Sequence, residues 1–307
     1  MKFFQHSFLV FLVLSNTSYY LYSQQTTELY TIVEFPAIPA KFCDLEEDMK
    51  ETSGIIYYGG SVWTINDSGG EPEIYKIDKT TGTVIQKVII LNGSNRDWED
   101  ITQDDDFIYV GDFGNNDGNR SDLKIYKIAK SEITAKKNVE LNAKIIGLSY
   151  NDQKSFSESK HHHNFDCESI ISFGDSLIIF SKNWADGKTR MYKIPKIPGQ
   201  YQLDPLDTLD ADGLVTGADY NKDTKKLVLI GYKDRLPFIY YFSNFNGRKF
   251  ESDQVYRFNL NKMKDSQTEG IAWLNDETII FSTEQTKSFS QQVFELNFQS
   301  VFKLIGK

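Results

Sequence analysis

Cysteine and histidine are scarce in this sequence, which removes most soft-metal and redox chemistry before any motif is sought. Two cysteines, Cys43 and Cys167, stand far apart in 307 residues, and neither belongs to a CxxC pair, so there is no zinc-knuckle or dithiol signature. Export would permit a disulfide between them. Spacing cannot show that their Cα atoms approach closely enough, and two buried free thiols are the alternative. One of the four histidines is His6, and the other three are consecutive, His161-His162-His163. They lie in a stretch rich in Ser and Lys that reads as a solvated loop, with a metal role as the alternative. A Ser-His-Asp triad would have to draw on that loop. No G-x-x-x-x-G-K-[ST] phosphate loop and no G-x-S-x-G nucleophile elbow occurs.

Long hydrophobic runs and an excess of positive charge are missing too. Phe8 to Leu14 is an unbroken apolar run behind the basic Met1-Lys2 start, and polar, small residues follow to Ser23. This is the pattern of a signal peptide over residues 1–23. The run is too short to span a bilayer, and nothing later approaches the ~20 residues needed. No Cys near the cleavage region offers a lipid anchor. The expectation is a secreted or periplasmic protein with one mature domain over 24–307 and no membrane association. Lys and Arg total 34 against 43 Asp and Glu, a net charge of −9, which argues against nucleic acid as a partner. A long 3.6-residue apolar period is also lacking, so helices are not expected beyond the signal.

Aromatic residues are plentiful at 14%, with 17 Tyr and 22 Phe, a composition that suits strands. The strands repeat. A short motif opens an apolar strand five times: Ser53-Gly54-Ile55, Glu99-Asp100-Ile101, Glu168-Ser169-Ile170, Thr216-Gly217-Ala218 and Glu269-Gly270-Ile271. A strongly apolar second strand follows each, as in Val62-Trp63-Thr64-Ile65 and Ile178-Ile179-Phe180. The third strand is the plainest echo, reading Ile74-Tyr75-Lys76-Ile77, Ile125-Tyr126-Lys127-Ile128 and Met191-Tyr192-Lys193-Ile194. Fourth strands are read at Thr83 to Leu91, Lys144 to Tyr150, Tyr201 to Leu209 and Gln254 to Leu260. Successive motifs are 46, 69, 48 and 53 residues apart, and the long interval holds the polar insertion Gln153 to His163. Roughly 40–50 residues per four-stranded unit is the period of a propeller blade. The expected fold is therefore an all-β, five-bladed β-propeller. The N-terminal run Leu29-Tyr30-Thr31-Ile32-Val33 is assigned the missing outer strand that closes the ring and removes an exposed edge. A six-bladed ring with one eroded blade is the alternative.

The first strand of a blade lines the axis, so Ser53, Glu99, Glu168, Thr216 and Glu269 should form a ring there. Carboxylates held close together repel unless something compensates. Ca²⁺, which takes 6–8 oxygen ligands, would do so. Without Cys or His in the ring, zinc is disfavoured. Loops leaving the second strands would place Asp67, Asp112, Asn115, Asn116, Arg120, Lys182, Trp184, Lys233, Arg235, Glu284 and Gln285 around the same mouth. Asp97 and Asp166 each precede a ring Glu by two residues. Gly111 to Asn119, though rich in Gly, Asp and Asn, breaks the calcium-loop pattern at Gly114 and reads as a turn.

Trp63-Thr64-Ile65-Asn66-Asp67-Ser68-Gly69, Arg96-Asp97-Trp98-Glu99-Asp100-Ile101 and Gly111-Asp112-Phe113-Gly114-Asn115-Asn116 resemble signatures of an uncharacterised family of exported bacterial β-propellers. That resemblance covers nearly the whole mature chain and implies fold and export rather than activity. The ring is also similar, in order, to the Ser/Glu/Glu/Ser/Glu calcium ring of the five-bladed calcium-activated nucleotidases (apyrases), with Thr216 in place of one Ser. This second likeness implies an axial Ca²⁺ and hydrolysis of nucleoside di- and triphosphates; the surrounding loops depart from that family.

Two functions follow as expectations. One is a Ca²⁺-dependent hydrolase of a phosphate-bearing or other anionic substrate. Asp67, Asp97 or Asp112 would activate water, and Lys182, Lys233 or Arg235 would offset the developing charge. The other is a non-catalytic propeller whose loops hold a glycan or a protein. A monomer is expected in either case.

Overall fold

The computed structural model describes residues 30–35 and 38–306, together with the strand paths of Phe8–Phe11 and Tyr22–Thr26. The expected signal segment, residues 1–23, lies outside the described residues apart from those strands. Five sheets, antiparallel apart from a parallel outer pairing in three of them, stand in a ring. Their inner strands are Thr52–Tyr58, Trp98–Gln103, Asp166–Phe173, Leu214–Asn221 and Thr268–Trp273. Each inner strand contacts the next, and the last contacts the first. The protein is thus a five-bladed β-propeller, and the blades are numbered here in that order.

The second strands read as continuous apolar runs because each is buried on both faces. Ser176–Lys182 has every residue buried, as expected for a strand sandwiched between neighbouring blades. Among the described residues the core falls into five clusters, one at each seam between adjacent blades. Ile178 and Phe180 of blade 3, for example, meet Leu229 and Phe238 of blade 4. The aromatic excess fills these seams. Trp63 is 1% exposed and donates its indole N–H to the Tyr58 carbonyl at 3.1 Å, so its one polar atom is satisfied. Trp63→Ala is expected to cost about 3–5 kcal/mol through lost burial and the cavity left, read as a lowered urea midpoint at unchanged slope.

Closure differs from expectation in the segment used. Ala40–Asp44 pairs antiparallel with Gln292–Asn297 and completes blade 5. Thr31–Glu34 lies parallel to Val255–Asn259 as a fifth strand on blade 4. The sequence run 29–33 is the more apolar of the two, and alternation alone cannot say which edge a strand covers. The segment read as one fourth strand, Tyr201 to Leu209, is also divided. Gly199–Leu203 pairs in parallel with blade 2, and only Pro205–Leu209 completes blade 3. Blade 1 gains a parallel fifth strand, Asn138–Leu141, in the same way.

One α-helix is present among the described residues, Phe298–Leu304, of seven residues. At under two turns it is too short for an apolar period to show in sequence. It is fixed by the Asn297 cap, whose side chain accepts from the Ser300 N–H, and by Phe298, packed on Tyr241 at 4.8 Å and Trp273 at 5.6 Å. Cys43 and Cys167 are both buried free thiols, in blades 5 and 3. Among the described residues no helix is long and apolar enough to cross a membrane.

Candidate metal centre

Every inner strand carries a register shift at its start, and every shift falls at an expected ring position. The pairing skips Glu99 between Trp98 and Asp100, Glu168 between Cys167 and Ser169, and Thr216 between Val215 and Gly217. It skips Ser53 with Gly54, and Glu269 with Gly270. A bulge frees one residue from the ladder and re-aims its side chain, and five bulges at one level aim five side chains at the axis. All five are buried, from 1% exposed for Thr216 to 5% for Glu269.

The five do not share one role. Ser53 Oγ donates to the Glu99 carbonyl, and Thr216 Oγ1 donates to the Thr268 carbonyl at 2.8 Å. Each hydroxyl therefore stitches its inner strand to the next. Glu168 Oε1 accepts from Lys182 Nζ at 2.6 Å, with both side chains nearly inaccessible. Glu99 is the exception: its Oε1 is buried with no hydrogen-bond partner.

A second tier sits above the ring. The residues that follow the partners of Thr52, Trp98, Cys167, Val215 and Thr268 on the second strands are Asp67, Phe113, Lys182, Tyr232 and Glu284. Asp67 accepts from the Ser68 N–H. Lys182 Nζ lies 4.7 Å from the Trp184 ring centroid and 5.6 Å from that of Tyr232. Sequence reasoning misses Tyr232 because its charged, more conspicuous neighbours Lys233 and Arg235 draw the assignment. Aligning the second strands by register rather than by residue type finds it.

Carboxylate oxygens of Asp67, Asp97 and Glu99 all lie within 4.8 Å of one another, and so do those of Glu99, Asp166 and Glu168. Asp97 reaches the cluster from the residue before Trp98, and Gly114 closes over it. A Cβ on Gly114 would stand 2.0 Å from Glu99 Oε1 and 2.5 Å from Asp97 Oδ2, so the loop backbone roofs both carboxylates. Asp166 is already satisfied by N–H groups of Asn115 (2.6 Å), Cys167 (3.1 Å) and the Trp184 indole (2.8 Å).

Burial first, and neighbouring charge second, shifts these groups. Burial, then Asp67 and Asp166, pushes Asp97 up to about 7. Burial, then Glu168 and Asp67, holds Glu99 well above the carboxylate range. Burial raises Glu269 to about 7, and burial with Glu269 raises Glu284 to about 9. Burial alone would lower Lys182, but Glu168 foremost holds its ammonium well above its ordinary range.

Of the residues nominated from sequence, Lys233 and Arg235 lie apart from this cluster, and Asp112 borders it, its Oδ1 accepting from the Asp97 N–H at 3.3 Å. Asp112 is fully buried and held by Arg120 Nη2 at 2.8 Å, where it supports the 113–120 loop. Lys233 and Arg235 are 46% and 76% exposed and pair with Asp212 and Asp265. The triple-His loop folds against blade 3, with His161 stacked on Trp184 at 3.9 Å and His163 Nδ1 accepting from the Phe165 N–H at 3.1 Å. None of its histidines joins either carboxylate group.

No protein-family model matches the chain, and no curated protein matches it. Solved structures similar to it include a glucose dehydrogenase (TM-score 0.48, 7% identity, covering 85% of this chain and 99% of that one). A chain of the nidogen/laminin complex is also similar (TM-score 0.44, 12% identity, 88% and 81% covered). A luciferin-regenerating enzyme gives a TM-score of 0.41 at 9% identity, with 80% and 90% covered. At such values these likenesses carry no argument about what this chain binds or acts on.

Proposed function

We propose that this protein is an exported, Ca²⁺-binding propeller that holds a phosphate-bearing or other anionic substrate against an ion at the axial mouth and hydrolyses it. The observation that carries the reading is Glu99 Oε1. It is a buried carboxylate oxygen without a hydrogen-bond partner, within a group completed by Asp67 and Asp97. A buried, unpaired carboxylate is costly, and a cation is the simplest compensation. The donors are all oxygen, which suits a hard ion. Two ligands on opposite sides of Ca²⁺ at about 2.4 Å would be about 4.8 Å apart, the span within which these oxygens lie. Asp67, Asp97 and Glu99 would hold the ion, with Glu269 and Glu284 beside them. Once bound, the ion would polarise a phosphoryl oxygen and lower the pKa of a coordinated water. Trp184 and Tyr232 flank the buried Lys182 at the rim, and the ion offsets a charge that would otherwise repel an anion.

The test is a thermal melt in EDTA and with Ca²⁺ or Mg²⁺, followed by a panel of phosphate esters and nucleoside di- and triphosphates. At a hundredfold excess over Kd, binding adds about 2.7 kcal/mol, a rise of about 5 °C or more. Ca²⁺-selective stabilisation that Glu99→Gln abolishes, with Ca²⁺-dependent turnover, is the expected result. Stabilisation without turnover across the panel would replace hydrolysis with glycan or protein binding. No stabilisation and no retained metal would remove the ion.

A further inference from the structure

The end of the propeller opposite the ring carries a cleft of about 560 Å³ between blades 3 and 4. Two inner strands finish there. Phe173 ends Asp166–Phe173, five residues beyond Glu168, which is roughly 17 Å along an extended strand. Tyr220 stands at the matching end of Leu214–Asn221. Their rings meet at 4.9 Å, and Phe245 lies 5.9 and 6.0 Å from them. Phe173 and Tyr220 are only partly buried, so aromatic surface is left in the wall. The loop after the third strand of blade 4 fixes that wall. The Phe245 N–H donates to the Lys225 carbonyl at 2.8 Å, and a Cβ on Gly247 would stand 2.4 Å from the Phe173 ring. Polar groups stand beside the rings. Asn244 Nδ2 donates to Asp253 Oδ2 at 3.2 Å, which leaves Asn244 Oδ1 and Asp253 Oδ1 without a partner among the described residues. Glu251 pairs with Lys249 at 3.5 Å, so the charges remaining on the lining are those of Lys225 and Asp253, of opposite sign.

This lining does not suit a phosphate-bearing ligand, which calls for clustered cations or an ion. Nor does it suit an added peptide strand. Val255–Asn259, the strand that leaves the cleft, is paired on both sides, so no edge is open to a peptide backbone. A sugar presents what remains: an apolar C–H face to lie on the rings and hydroxyls that both donate and accept. The volume is also that of a small-ligand site. We propose that the cleft binds a neutral saccharide, with Tyr220 and Phe173 as its stacking surface and Asn244 and Asp253 holding its hydroxyls. The site is separate from the axial mouth and does not depend on the ion.

The experiment is calorimetric titration of the full chain with neutral oligosaccharides of glucose, galactose, mannose and N-acetylglucosamine, in EDTA and in Ca²⁺. Binding of at least one is expected, unchanged by EDTA and by Glu99→Gln. Tyr220→Ala and Asp253→Ala should each weaken it about tenfold, through lost stacking surface and a lost charged acceptor. Asp253 is exposed, so its variant reports on binding even if Tyr220→Ala does not fold. No binding of any of these sugars up to ~10 mM overturns the proposal, as does binding that either folded variant leaves intact. Binding that EDTA or Glu99→Gln abolishes also overturns it, because the sugar would then belong to the axial mouth. A hexuronate oligomer that binds more tightly than its neutral counterpart would overturn the neutral assignment.

Discussion

A single methyl group added at Gly270 is expected to destabilise the fold by about 3 kcal/mol or more, at the upper end of overpacking costs. The reason is contact rather than backbone conformation, since Gly270 is not among the glycines with positive φ. Its Cβ would stand 2.5 Å from the Ser53 carbonyl oxygen, 2.6 Å from the Ile55 nitrogen and 2.8 Å from the Gly54 carbonyl carbon. All three are backbone atoms of the neighbouring inner strand, so no flexible side-chain tip can yield. The same seam is bolted by Ser282, whose hydroxyl accepts from the Gly270 N–H at 3.0 Å and donates to the Ser53 carbonyl at 3.2 Å. Blades 5 and 1 are where the ring closes, so displacement there strains every other seam. Gly270 also follows Glu269 in the bulge, and a shifted backbone would turn that carboxylate away from the axis. Gly70→Ala is the control: its Cβ would meet nothing nearer than 3.4 Å, and a change within about 0.5 kcal/mol is expected. Chemical denaturation of the two variants settles the matter, and a Gly270→Ala midpoint matching that of Gly70→Ala would refute the close-packed axis.

The repeat, the blade count and the ring are legible in sequence because they rest on register, which is written once per blade. Ser53, Glu99, Glu168, Thr216 and Glu269 precede residues that must be small or inward-turned, and the structure puts a bulge at each. The Asp-Trp-Glu-Asp segment shows why so few residues carry so much. Trp98 enters a seam and is fully buried, while Glu99 faces the mouth. Asp100, deeper in the axis, accepts from the Ile170 N–H of the next blade at 2.9 Å. What is not legible lies where spacing in sequence says nothing about pairing. Alternation in Ala40–Asp44 is weak, with its first two residues exposed, so the more apolar run at 29–33 reads as the closing strand. Charge on Lys233 and Arg235 suggests a role at the mouth, yet each is paired on the surface. Tyr232, one residue earlier, occupies the second tier. Asp112 reads as a free acid because nothing in the sequence places Arg120 against it.

Without calcium, the protein is expected to lose stability as pH rises from about 5 to about 8, by an amount on the order of several kcal/mol. The sign follows from the direction in which burial moves these groups. Asp97 and Glu269 are raised to about 7 and Glu284 to about 9, each chiefly by burial. In the unfolded chain such groups titrate near ~4. Between those values the folded state holds protons that the unfolded state has released, so stability falls with increasing pH. It is fully present below the unfolded pKa and is lost as pH climbs through the folded one. A tenfold change in a carboxyl's proton affinity on folding corresponds to about 1.36 kcal/mol. Neighbouring carboxyls raise one another here, as Glu269 raises Glu284, so their contributions do not add. An opposite contribution limits the acid side. Burial would raise Asp104, yet Lys196 and Tyr109 hold it below its ordinary range, and that stability is lost on acidification. A maximum near pH ~5 is therefore expected in EDTA. Calcium replaces the protons of the cluster, so its stabilising effect should grow with pH, and melting temperature in saturating Ca²⁺ should be nearly level from about pH 5 to about 8. Melting curves at several pH values in EDTA and in Ca²⁺ test both halves. An EDTA series that is flat or rising over this range would mean that the carboxylates are ionised and compensated without an ion. In that case Lys182 and the surrounding N–H groups would already balance the axial charge.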